Sequence, residues 1–151
     1  MPVVTSQGTI FSVVLGEPAT YDDTGFDALS FDEVGEVSDI GEFGGEAEVL
    51  THTPLKSGTV NKLLGSINYG SIAAQFAKVF GEAGQVALKA GFDGANKGKV
   101  HSFKVEYVDG GIEYFTGIVT SFTSNVGSAS SVRLGASNIE LNNKVIAVDP
   151  V

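Results

Sequence analysis

The sequence predicts a mainly β protein: an antiparallel β-sandwich or small barrel with one short flanking α-helix, extended N- and C-terminal arms, and a long inter-strand loop. Three observations predict it. Apolar and polar residues alternate over long stretches of the second half of the chain, which is the period of a half-buried strand. Glycine is abundant, 20 of 151 residues, against a usual ~7%. These glycines are scattered without a period, as turns and bulges between short strands require. Only one stretch, Glu82 to Ala90, is read as helix.

Residues 1–30 read as an extended arm. Thr9 to Leu15 is a short apolar run stopped by Gly16-Glu17-Pro18, and residues 19–30 have no periodicity and read as loop. From Ser30 to Leu55 the chain is acidic. Phe31 to Val37 reads as a strand interrupted at Gly35, and Glu48 to Thr53 is extended by propensity. Gly41, Gly44 and Gly45 suggest a long flexible excursion between two strands. Ser66 to Lys78 reads as a strand with a bulge at Gly70-Ser71, because the apolar parity switches there. A helical face through Tyr69, Ile72, Ala73 and Phe76 is the other reading of that segment.

Glu82 to Ala90 is the helix. Ala83, Val86, Ala87 and Ala90 share a face, Lys89 lies near the negative end of the dipole, and Gly91 closes it. Val100 to Phe122 is the clearest hairpin, with Asp109-Gly110-Gly111 as its turn. A two-residue loop keeps both apolar sets on one face, and Gly110-Gly111 avoids setting Glu106 against Glu113. A last strand runs from about Val132 to Asn142, with a bulge implied near Ser137. The apolar tail 144–151 is expected to add to a neighbouring edge. The whole reads as one domain, 1–151: arm 1–30, core 31–145 and tail 146–151.

Charge is unevenly placed. The net charge is −9, yet residues 1–55 hold eleven acids and no lysine or arginine. Residues 56–104 carry +5 and the remainder −3. A self-associating protein can use such segregation, the acidic face of one copy meeting the basic face of the next.

Catalytic and metal chemistry finds little footing. Cysteine is absent, so there is no disulfide, thiolate ligand or cysteine nucleophile. The two histidines, His52 and His101, lie far apart in extended segments, and no Gly-x-Ser-x-Gly elbow occurs. Asp22, Asp23 and Asp27, followed by Asp32-Glu33, lack the order of a calcium loop. The stretch Gly91 to Val100 fails the phosphate-loop pattern, since Asp93 and Val100 occupy positions that need Gly and Ser or Thr. Lys89, Lys97, Lys99 and Lys104 form a weak basic cluster, opposed by the overall negative charge. No signal peptide, membrane anchor, metal or cofactor is expected, and no enzymatic activity.

Three stretches carry a resemblance. They are Asn68-Tyr69-Gly70-Ser71-Ile72 with Ala83 to Leu88, then Phe103 to Tyr107 with Gly117 to Thr123, and Gly127-Ser128 through Ser137 to Leu141. Over about residues 30–145 the chain resembles the major tail tube proteins of siphovirus-like bacteriophages, those with long non-contractile tails. The resemblance implies a β-sandwich with one helix, six copies in a ring, and rings stacked into a tube through which DNA passes without specific binding. It implies a virion location, assembly in the host cytoplasm, and a tape measure protein, a tail terminator and distal tail proteins as partners. The chain departs from the best-known examples in lacking an appended surface domain after residue 145, and so is not expected to decorate the tail or bind host receptors. Ile10, Phe11, Val13 and Leu15, with Glu48, Leu50, His52 and Leu55, are the expected ring-stacking residues. Asp32, Glu33, Glu36, Glu106 and Glu113 are the expected lumen-facing acids. A type VI secretion-like tube subunit, or a monomeric β-sandwich that binds a ligand or carbohydrate, are the alternatives.

Overall fold

Ten strands and two helices are described in the structure, a computed structural model that covers residues 3–150. The strands are β1 (Ile10–Leu15), β2 (Asp32–Glu33), β3 (Val37–Asp39), β4 (Glu46–His52), β5 (Asn61–Asn68), β6 (Ser71–Ala77), β7 (His101–Glu106), β8 (Ile112–Asn125), β9 (Leu134–Leu141) and β10 (Ile146–Val148). The helices are α1 (Asp23–Asp27) and α2 (Ala83–Asp93). One antiparallel sheet, in the order β2-β1-β7-β8-β9-β6-β3, curls into a half-barrel, and β10 pairs with β8. Of sandwich and barrel, the curled sheet realises the second.

The 14-residue β8 is the spine. Its first half pairs with β7, and from Gly117 onward it pairs with β9. At this handover a Cβ on Gly117 would lie 2.4 Å from the Glu140 carbonyl oxygen, so only glycine fits. The concave face collects Phe11, Val13, Ile72, Phe76, Phe103, Phe115 and Ile139, all 1% exposed or less. Leu88 of α2 closes over them. Gln85 is buried on the same helix and fully satisfied. Its amide donates to the carbonyls of Gly35 (3.1 Å) and Ala77 (2.9 Å) and accepts from the Val79 N–H (3.0 Å). The convex face is covered in part by residues 16–31, which fold back so that Phe26 stacks on Tyr114 at 5.0 Å.

Several expectations are corrected. Residues 10–15 are not a free arm: β1 pairs along its full length with β7, because alternation of Phe11 and Val13 with Ser12 suits a strand inside the sheet. The tail is likewise paired within its own chain, Ile146 opposite Tyr114 and Val148 opposite Ile112; Val151 lies outside the described residues. The β7–β8 turn has three residues, Val108–Gly110, with Glu106 opposite Ile112. Gly110 takes the left-handed φ of 97° that this loop requires. The expected bulge in the last strand sits instead in β8, between Val119 and Ser121. β9 is regular, with Gly135, Ser137, Ile139 and Leu141 inward. A Cβ at Gly135 would come within 2.5 Å of the Phe76 ring, which explains an inward position without a side chain. Helix α2 runs to Asp93 and buries Gly84, Gln85, Leu88 and Gly91, leaving Val86 exposed. Residues 23–27, read as loop, form α1, capped by Asp22, whose carboxylate accepts from the Gly25 N–H at 2.8 Å. Asn61–Asn68 and Ser71–Ala77 are two strands in different sheets, not one bulged strand.

His101 is 1% exposed between Gly91 and Phe103. Its Nδ1 lies 2.9 Å from the Lys99 carbonyl oxygen and so carries the proton, leaving Nε2 without a partner. Burial holds this imidazole below the ordinary 6.5. The unfolded chain therefore takes up its proton first. The stability this site supplies is complete above the unfolded value and is lost as pH falls below it. Thermal unfolding followed from about pH 8 to about pH 5 should show a falling midpoint, with a shallower fall in His101→Leu; equal slopes in both proteins would exclude this cause.

Candidate assembly surfaces

Strands β4 and β5 pair only with each other and leave the body as a two-stranded hairpin. Its base is tight. Gly45 adopts a φ of 101°, and a Cβ there would lie 2.7 Å from both the Asn68 carbonyl oxygen and the Tyr69 Cα, so the two ends of the excursion meet. Along it, Val49 sits opposite Leu64 and Leu50 opposite Leu63. Neighbouring positions on a strand point to opposite faces, so each face of the ribbon carries an apolar pair. Leu64 is 77% exposed, and Val49, Leu50, Val60, Leu63 and Ile67 all lie open. Among the described residues, no strand or helix of the body packs extensively on the hairpin. An isolated two-stranded hairpin is marginal in water, and contiguous exposed apolar surface marks an interaction site.

The expected ring-stacking residues divide between two places. Glu48, Leu50 and His52 lie exposed on β4, and Leu55 stands fully exposed near the hairpin tip. Phe11 and Val13 are in the core, Ile10 is half-buried, and only Leu15, at 44% exposure, reaches solvent. Phe11 and Val13 are thus unavailable to a neighbour, and removing residues 1–15 would strip two core side chains rather than a free arm. The signal that sequence reasoning missed is β5. Val60, Leu63, Leu64 and Ile67 follow neither strand nor helix period, and only the pairing of β5 with β4 places them on one ribbon, Leu63 and Leu64 on its opposite faces.

The five acids do not share a face. Asp32 and Glu33 are exposed on the edge strand β2, and Glu36 stands in a turn with φ 61°. Glu106 is opposite Ile112, whereas Glu113 is opposite Val105, so the two carboxylates point to opposite sides of the β7–β8 ladder. Glu113 accepts the Tyr107 hydroxyl, and Glu106 lies 3.9 Å from Lys104. Burial, then the Glu113 carboxylate, pushes the Tyr107 phenol well above its ordinary value and keeps it a hydrogen-bond donor. Among the described residues no group of three metal-ligating side chains converges, and no helix is long and apolar enough to cross a membrane.

The family described as lambda phage tail tube protein, TTP, matches residues 16–140. The chain belongs to the lambda phage tail tube protein family. That span takes in the hairpin and every strand except β1 and β10. No curated protein matches the chain by sequence. Solved structures share the fold of this tail tube family member at low identity. A chain of the anti-feeding prophage baseplate, six-fold symmetrised, has a TM-score of 0.70 at 8% identity, covering 98% of this chain and 96% of that one. The tail of an empty gene transfer agent particle, refined with C6 symmetry, gives 0.68 at 15%, covering 97% and 100%. The sheath/tube terminator of an extracellular contractile injection system, PVC, gives 0.67 at 12%, covering 99% of each chain.

Because the hairpin ends meet at Gly45 and Tyr69, replacing residues 46–68 by a short turn should leave the body folded. Circular dichroism and thermal unfolding should match the full-length monomer to within a few degrees, about 1 kcal/mol or less. A large loss of stability would mean that the ribbon supports the body.

Proposed function

We propose that copies of this chain assemble into hexameric rings that stack into a phage tail tube, the channel through which the genome is delivered to the host. The observation that carries the reading is the β4–β5 hairpin, whose two faces both carry apolar side chains that lie exposed among the described residues. A monomeric binding module would leave that surface in water permanently. A polymer covers it once per subunit, in a contact where one surface of a copy meets a different surface of the next. Such heterologous contacts close into rings or propagate as stacks. Free strand edges serve the same end, since an unpaired row of backbone donors and acceptors is a ready joint. The six-fold symmetry of two of the similar structures supports a ring of six.

The role is structural and needs no catalytic step. Leu15, Glu48, Leu50, His52 and Leu55 remain our candidates for ring stacking. A net charge of −9 disfavours adhesion of DNA to the wall, so the genome slides through without specific binding. We take a tape measure protein within the channel, and terminator and distal tail proteins at its ends, as the partners. The occurrence of this fold in a sheath/tube terminator supports the second of these. The subunit would be made in the host cytoplasm and reside in the virion tail.

Electron microscopy and sedimentation of the purified chain test the proposal. Rings or tubes are expected from the full-length protein, and solitary folded particles from the variant lacking residues 46–68. A full-length chain that stays monomeric at high concentration, or a shortened one that still forms tubes, would overturn it.

A further inference from the structure

Two cations flank one exposed aromatic ring at the mouth of the half-barrel. Phe80 is 74% exposed. Lys78 Nζ lies 5.2 Å from the centre of its ring, and Arg133 Cζ also lies 5.2 Å from it. Lys78 reaches Phe122 as well, at 5.6 Å, and its ammonium donates to the Ser124 hydroxyl. The group is built rather than incidental. The Lys78 N–H donates to the Arg133 carbonyl at 2.9 Å, and Arg133 returns Nε and Nη2 to the Lys78 carbonyl at 3.3 and 3.2 Å. The buried Gln85 amide fixes Val79 in between. Val79 and Val132, which precede Phe80 and Arg133 in the chain, are also exposed. Neither cation is paired with a carboxylate among the described residues. The nearest acid along the chain, Glu82, is spent on the Gly84 and Gln85 N–H groups at the start of α2.

We infer that this patch is the acceptor for the β4 strand of a second copy of the chain. The inference rests on the tube reading and adds to it the surface that receives the hairpin. The chemistry matches on both counts. The patch offers apolar area with two unpaired positive charges. Strand β4 offers Leu50 on the same face as Glu46 and Glu48, carries no lysine or arginine, and has one edge free of any partner among the described residues. The opposite strand is less suited, since Lys62 lies on β5 and Lys56 near the tip. Apolar contact supplies the area, and the flanking charge pairs select the acidic strand over the basic one. A fixed cation pair over a rigid ring loses little freedom on docking, which favours a preformed acceptor.

Charge reversal tests it. Lys78→Glu with Arg133→Glu should stay folded by circular dichroism and raise the concentration needed for tube formation by about tenfold or more. Glu46→Lys with Glu48→Lys should do the same, and an equimolar mixture of the two variants should regain assembly. A second measurement uses the absence of native thiols. A chain with Leu50→Cys and Phe80→Cys should form a ladder of disulfide-linked multimers once assembled, and each single variant should stop at dimer. Tubes from the Lys78/Arg133 variant at native concentration, no rescue in the mixture, or assembled chains that give no ladder would each overturn the acceptor while leaving the tube reading intact. If the two lysine and arginine changes unfold the chain, the ladder decides. A native chain that never assembles overturns the tube reading instead.

Discussion

The curl of the sheet depends on aromatic rings stacked across three strands. Phe11 of β1 lies 5.8 Å from Phe103 of β7, nearly parallel at 7°, and Phe103 lies 5.3 Å from Phe115 of β8. Phe43, from the segment before the hairpin, continues the file against Phe115 at 5.3 Å. Each such pair is worth about 0.5–1.5 kcal/mol beyond the area it buries. The file ties the first strand to the middle of the chain, and it joins the root of the excursion to the core. Phe43 therefore anchors one base of a hairpin that makes no other substantial contact with the body.

Much of this architecture was legible from side-chain period. The inward positions of β6, Ile72, Ala74 and Phe76, follow from alternation alone, and so do those of β7. The failures share a cause. Where tertiary packing sets the inward residue, size and not polarity is the signal. Gly135 and Ser137 point inward because Phe76 and its neighbours already fill the space, yet the apolar parity of the sequence implies a bulge near Ser137. Gly84 and Gly91 mark the buried side of α2 for the same reason. A Cβ on Gly84 would lie 2.4 Å from the Glu33 carbonyl oxygen, and one on Gly91 would lie 2.9 Å from the His101 ring. The apolar stripe in the sequence runs instead through the alanines and Val86. A two-residue β7–β8 turn would follow if the apolar sets of the two strands had to share one face. Both faces of that ladder are in fact buried, Phe103 and Phe115 within and Tyr114 and Thr116 beneath residues 16–31.

The assembly surfaces were legible only in part. The acidic, cation-free first third of the chain is visible in the composition, and β4 lies within it. That Val60, Leu63, Leu64 and Ile67 stand on the same ribbon is a fact of pairing, which period does not disclose. Phe80 offered less still. It follows β6 and precedes α2, and nothing local distinguishes it from a core phenylalanine; Arg133, 53 positions away in the chain, reaches its ring only because β9 pairs with β6.

A subunit built this way must remain soluble before it assembles. The body does so by charge, since its surface carries the whole net negative charge, while the hairpin, with Glu46 and Glu48 against Lys56 and Lys62, is neutral. Repulsion between bodies opposes random clustering, whereas repulsion between ribbons is weak. A two-stranded ribbon is also only marginally ordered on its own. Its first contact with another copy therefore spends much of its apolar gain on ordering the ribbon and losing free rotation. Later contacts add to ribbons whose base and acceptor are already fixed in a growing assembly, so they cost less. On the tube reading, this makes starting a tube harder than lengthening one. The exposed apolar ribbon is then compatible with a stable pool of monomers, because its hazard as an open edge is realised only where several subunits are held together at once.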